Sequence, residues 1–119
     1  MNWNIRNDTP VYTQLVDQIA RAIILGQFPP GSKLPSVRDF ASDAGVNPNT
    51  MQRALAELEA RGLLETQRTT GRTVTGDVEK IAQTRRALAQ TLVHHFYHQA
   101  AALGLTKAEI AALLEQEEA

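Results

Sequence analysis

The stretch AGVNPNTMQRALAELEARGLL, residues 44–64, decides how this chain folds. Asn47 is a good N-cap, because its side-chain oxygen can accept an otherwise orphaned N–H of the first helical turn. Pro48 suits the first helical position, where no N–H is needed and its fixed φ already matches. Met51, Leu55 and Leu58 then recur at helical spacing with Ala54 beside them, which defines one buried stripe. Gly62, just after Arg61, is placed to end the helix in the left-handed region. The opposite face of the first two turns carries Asn49, Thr50, Gln52, Arg53 and Ala56. A rigid, capped helix tip therefore presents hydrogen-bonding side chains outward.

Upstream, Thr9-Pro10 can open a helix with Val11, Leu15, Ile19 and Ile23 on one face and Gly26 as its stop. The connector GQFPPGSKLP, residues 26–35, reads as turn-rich, with Pro29, Pro30 and Gly31 opposing regular structure. Ser36 then caps a short helix, and Asp39 three residues on resembles a capping box with Asp replacing the usual Glu or Gln. Val37, Phe40 and Ala41 face inward, and Gly45 ends the helix. A short helix, a sharp glycine turn and another helix form the helix-turn-helix arrangement. Downstream, LLETQRTTGRTVTG, residues 63–76, reads as a hairpin with Leu64, Thr66, Thr73, Val74 and Thr75 in strands and Thr69, Thr70 and Gly71 at its tip. The expected fold is mainly α with a small β-hairpin wing, an α+β winged helix-turn-helix over residues 1–76.

Residues 77–119 are a different object, a two-helix tail. Ile81, Leu88, Leu92, Phe96 and Leu103 form an apolar stripe on a helix from about Val78 to Leu103, broken by Gly104. Thr106 and Glu109 form a T-x-x-E capping box for a last helix lined by Ile110, Leu113 and Leu114. Two such helices cannot bury their apolar faces alone. The stripe residues are therefore expected to dimerise the protein.

Composition bounds the function. The 119-residue chain is 43% hydrophobic and 21% charged, with no cysteine, so disulfides and cysteine-based metal sites are excluded. The N-terminus has no apolar signal segment and no run is long enough to span a membrane, so a cytoplasmic protein is expected. The formal net charge of −1 argues against a polybasic, nonspecific nucleic-acid binder. Residues 1–76 carry eight Lys/Arg against seven Asp/Glu, and residues 77–119 carry four against six. DNA contact by the first segment must use a local cluster of cations.

The blocks GQFPPGSKLPSVRDFA (26–41) and GVNPNTMQRALAELEARGLLE (45–65) closely resemble the winged-helix DNA-binding domain of GntR-family bacterial transcription regulators. The short tail resembles the YtrA subfamily, in which the large effector domain of other members is missing. The resemblance implies that the helix starting at Pro48 is the recognition helix, entering the major groove of a double-stranded operator. Asn49, Thr50, Gln52 and Arg53 would then meet bases and flanking phosphates, and Arg38 would reach the backbone or a base. Ser36 and Asn47 would direct helix N-terminal N–H groups toward phosphate, a favourable geometry for anions. Arg68, Gly71 and Arg72 would serve from the wing, although the run Arg68-Thr69-Thr70-Gly71-Arg72-Thr73-Val74 lacks one glycine and the aromatic usual in the family. Arginine pairs bidentately with guanine, and glutamine or asparagine with adenine.

Blander readings stand beside these. Gln52 and Arg53 could form a solvated helix face, and Arg38 an ordinary ion pair with Asp39 or Asp43. His94 and His98 share one helical face at i, i+4, the spacing of a helical metal site, but no third ligand is evident nearby, so no metal or other cofactor is expected. No nucleophile–base–acid set can be drawn from the spacing, which argues against an enzyme. A homodimeric regulator, most simply a repressor, is the expected function. Its alternatives are the same regulator with a small-molecule effector at the dimer interface, and a winged helix reused for protein–protein interaction.

Overall fold

The computed structural model describes residues 1–118 and contains seven elements. They are α1 (Val11–Ile24), α2 (Val37–Ala44), α3 (Pro48–Ala60), β1 (Leu64–Gln67), β2 (Gly71–Val74), α4 (Val78–Ala101) and α5 (Lys107–Glu115). Met1–Thr84 form one compact unit and Arg85–Ala119 a second, the boundary falling within α4.

In the first unit, α1 and α2 both pack on α3, and α3 also meets β1. The core gathers Leu15, Ile19 and Ile23 of α1, Phe40 and Ala41 of α2, Met51, Leu55 and Leu58 of α3, and Leu63, Leu64 and Val74 of the hairpin. The helical members of this core are the faces read as inward from the sequence. Leu15, Ile19, Met51 and Leu58 have no exposed surface at all. Phe40 is the hub of an aromatic cluster, meeting Phe28 edge-on at 5.8 Å and Trp3 at 5.1 Å between ring centroids.

The caps follow the local chemistry. Asn47 accepts from the Asn49 N–H at 2.8 Å, and Ser36 Oγ accepts from the Asp39 N–H at 3.1 Å. Gly45 ends α2 with φ 71°, a conformation that an L side chain adopts only at a cost. It sets the sharp turn into α3.

Three expectations are corrected. The connector is not wholly irregular, because Lys33 bridges Thr73 and residues 31–34 run along the free side of β2. The Gly31 N–H donates to the Val74 carbonyl, the Val74 N–H to the Ser32 carbonyl, and the Leu34 N–H to the Arg72 carbonyl. An exposed strand edge needs such partners, and the connector supplies them in place of another strand. The hairpin tip is Arg68–Thr70, with Gly71 already paired to Gln67 as the first residue of β2. Thr75 lies just past β2, buried, donating to Glu65 Oε1 and accepting from the Asp77 N–H.

The N-terminal ten residues carry more structure than their sequence suggests. Gln18 both accepts from the Asn4 N–H and donates to the Asn4 carbonyl. Gln14 does the same with Arg6, one helical turn earlier. Two glutamines at i, i+4 thus imitate a strand edge and hold the arm against α1. Trp3 Nε1 donates to Asp43 Oδ2 at 2.7 Å, which ties the arm to α2.

The first compact unit runs past residue 76 because Ile81 packs against its core. Farther along α4, Leu88 is half-buried while Leu92 and Phe96 stay about half exposed. Leu103 lies beyond the end of α4, in the turn before Gly104, and is 82% exposed. In the second unit the Thr106–Glu109 capping box is complete, with the Thr106 N–H donating to Glu109 Oε1 and the Glu109 N–H to Thr106 Oγ1. The bond from the Thr106 backbone N–H, helped by the Thr106 side chain, holds the Glu109 carboxyl below its ordinary pKa. Ile110 is buried, whereas Leu113 and Leu114 are about half exposed.

Candidate nucleic-acid interface

The start of α3 is a solvent-facing polar tip on a helix whose other side is locked into the core. Asn49, Gln52 and Arg53 are exposed and Thr50 is half-buried. The capping bond uses the Asn47 side-chain oxygen and leaves its amide N–H donors outward. Ser36 is arranged alike, its oxygen accepting from the backbone while its hydroxyl hydrogen remains to donate.

Arg53 is not a loose surface side chain. Its guanidinium carbon sits 3.6 Å from the centroid of the Tyr12 ring, a cation–π contact from α3 to α1. Tyr12 is itself partly buried against the core, so the platform is fixed. Sequence reading missed Tyr12. The available signal was an aromatic one residue off the apolar stripe of α1, which alone does not show what lies over the ring.

The wing cations differ sharply from one another. Arg68 is exposed at the tip and, among the described residues, forms no ion pair. Arg72 has only 18% of its side chain exposed and donates through Nε to Glu59 Oε1 at 3.2 Å. Its Nη1 donates to Gln52 Oε1, also at 3.2 Å. Thr66, the cross-strand partner of Arg72, donates its hydroxyl to the same Glu59 oxygen at 2.6 Å. Glu59 and Gln52 lie seven residues apart on one face of α3, so α3 grips the wing at two points two turns apart. The Thr66 hydrogen bond, reinforced by the bond and charge of Arg72, holds the Glu59 carboxyl below its ordinary pKa against an opposing desolvation effect.

Arg38 is exposed and, among the described residues, makes no ion pair with Asp39 or Asp43. Asp43 is occupied by Trp3 Nε1 and lies 3.7 Å from the Met1 ammonium. A groove of about 720 Å³ runs between the N-terminus of α2 and the wing, lined among others by Lys33, Ser36, Thr69, Thr70, Gly71 and Arg72. Ser36, at the start of α2, and Gly71, at the start of β2, therefore border one concave surface.

The tail histidines meet edge to face, at 69° between the His94 and His98 rings. His94 and His98 have ring centroids 4.3 Å apart. Among the described residues no three His, Cys, Asp or Glu side chains gather as metal ligands.

A capped helix carrying polar side chains, a helix N-terminus beside it and a wing with an exposed cation define a winged helix-turn-helix DNA-binding protein. Residues 11–74 match the family described as "Bacterial regulatory proteins, gntR family", and the chain belongs to that family. It is a DNA-binding transcription regulator. Over 110 residues it is 36% identical to the uncharacterized HTH-type transcriptional regulator YhcF of Bacillus subtilis, covering 92% of this chain and 91% of that one. It is 34% identical over 98 residues to the HTH-type transcriptional repressor YtrA of the same organism, covering 77% and 75% of the two chains. A GntR-family transcriptional regulator from Listeria monocytogenes superposes with a TM-score of 0.90 at 37% identity, over 96% of this chain and all of that one. YtrA from Sulfolobus acidocaldarius superposes with a TM-score of 0.59 at 30% identity, over 98% and 94% of the two chains. Among the described residues no helix is long and apolar enough to cross a membrane.

Proposed function

We propose that the protein is a homodimeric repressor that occupies a near-palindromic operator, with α3 in the major groove and the wing along the flanking backbone. The observation that carries this reading is the exposed set Asn49, Gln52 and Arg53 on a helix tip whose cap and buried stripe leave it no freedom to turn away. Arg38 and Arg68, neither of them ion-paired among the described residues, supply phosphate contacts on either side. A polar tip with an arginine suits base edges and phosphate, whereas the buried centre of a protein-docking face is more apolar and depleted of charge.

Residues of α4 and α5 serve as the dimerisation element. Leu92, Val93 and Phe96 of α4 and Leu113 and Leu114 of α5 leave about half or more of their surface exposed. A second copy of the chain gives these side chains an apolar partner. Of the stripe read from sequence, Leu88, Leu92 and Phe96 keep this role and Leu103 lies at its end, while Ile81 serves chiefly to seat α4 on the DNA-binding unit. Repression is the mode carried by the name of the similar YtrA of B. subtilis.

Footprinting of the purified protein on the DNA upstream of its own gene tests the reading. The expected result is a protected inverted repeat, lost on replacing Arg53 with Ala. Protection without two-fold symmetry overturns the dimeric reading, and no protection on any sequence above random DNA overturns the operator reading.

A further inference from the structure

Arg72 sits where a wing cation would be taken for a phosphate contact, yet its guanidinium is committed inward. One edge bonds Glu59 and another bonds Gln52. A guanidinium has only donors, so the group it meets on Gln52 must be the amide oxygen. The carboxamide is thereby fixed in one of its two flipped orientations. It keeps one oxygen lone pair and its N–H donors for whatever lies in front of α3.

Resting on the operator reading above, we infer that Glu59, Arg72 and Gln52 form a positioning relay that makes Gln52 an adenine reader. The exposed edge of the fixed amide is an acceptor beside a donor, the complement of adenine N6–H and N7 in the major groove. Guanine offers two acceptors at that edge, O6 and N7, and matches it less well. An unrestrained glutamine rotates its amide to suit either purine, so restraint creates the discrimination. Arg72 also polarises the amide, which strengthens its N–H as a donor. Thr66 completes the support by bonding the same Glu59 oxygen from the neighbouring strand. Arg72 is thus a positioning residue, acting on the base through Gln52.

The test is selection of bound sites from a random duplex library with the full chain, followed by affinities for single-base variants of the selected site. Wild type is expected to select an adenine at one position per half-site, and Gln52→Ala to lose that preference alone. Arg72→Lys keeps the charge and any phosphate contact but loses the rigid fork. It is expected to relax the adenine preference about fivefold to tenfold, with affinity for mixed-sequence DNA retained. Arg72→Met should do the same, and Arg72→Lys guards against a folding defect in it. Unchanged preference in both Arg72 variants overturns the relay while leaving the operator reading intact. So does a loss with Arg72→Met that is uniform across sequences and restored by lysine, since that marks a phosphate contact. Selection of guanine at the Gln52-dependent position overturns it as well. A wild-type protein that selects no sequence removes the operator reading and the relay together.

Discussion

The Arg53 guanidinium lies over the Tyr12 ring at 3.6 Å, joining the first turns of α3 to the start of α1. The contact leaves the N–H donors at the guanidinium edge free while restricting where they point. Replacing Arg53 with Ala is expected to cost about 1–3 kcal/mol of operator binding if it reads a base, with relaxed preference at one position per half-site. Tyr12→Leu keeps the apolar body and removes the aromatic face. A double-mutant cycle on operator affinity should give a coupling of about 0.5–1 kcal/mol between the two positions. Strict additivity would mean that the stacked geometry has no part in binding.

The Glu59 carboxyl titrates below its ordinary range, so the sign of its pH effect is fixed. A depressed folded-state pKa contributes stability that is present above the unfolded value, about 4.3, and lost as pH falls through the lower folded value. The wing should therefore loosen from α3 only in that acid window. Glu59→Gln should remove this part of the acid dependence at a cost near neutrality of about 0.2–1 kcal/mol, small because the pair is partly solvated. Denaturant unfolding of both proteins from pH 3 to 7 checks it; parallel curves throughout would contradict the assignment.

Phe40 holds Trp3 on one side and Phe28 on the other, and is itself 2% exposed. Phe40→Ala is expected to destabilise the first unit by about 3–5 kcal/mol. Trp3 is the sole tryptophan, so its emission reports directly on the docking of the N-terminal arm. Replacing both Gln14 and Gln18 with Ala should release the arm and shift Trp3 emission toward that of solvated indole, while far-ultraviolet dichroism keeps its helical signal. An unshifted emission would show that Trp3 stays in place without the two glutamine clamps.

The elements of the DNA-binding unit were legible in the sequence because they rest on local signals. Asn47-Pro48, Ser36 and Gly45 announce helix ends, and the apolar stripes announce which faces are buried. What escaped reading is what depends on distant partners. The pairing of Lys33 with Thr73 is set by the need of β2 for a second neighbour, and a proline-rich connector does not advertise it. The arm escaped for the same reason, since Gln14 and Gln18 look like ordinary polar helix residues until Asn4 and Arg6 are laid beside them. Arg72 illustrates the limit for the candidate site. Its charge and position in the wing are plain in the sequence, but its inward commitment follows from Glu59 and Gln52 standing two turns apart on another element.

The inward commitment of Arg72 sharpens an expectation about salt. Each phosphate neutralised contributes about −0.9 to the slope of log affinity against log salt concentration. Arg38 and Arg68 flank α3 and form no ion pair among the described residues, and a dimer doubles these two to four contacts. The slope should then lie at roughly −4, steepening to about −5 if Arg53 also meets phosphate in each half-site. Arg72→Met should leave it unchanged, while Arg68→Ala should flatten it by about 2, one unit per protomer. Symmetry enters through the DNA. Two recognition helices related by a two-fold axis need half-site centres about one helical turn, ~34 Å, apart. Binding to an isolated half-site should accordingly be weaker and show about half the slope. Introducing charge into the tail with Phe96→Glu should bring the full operator down to half-site behaviour, because it separates the protomers without touching the DNA-binding surface. Equal affinity for the two DNAs in the wild type would remove the dimer from this account, and a slope near zero would remove the phosphate contacts.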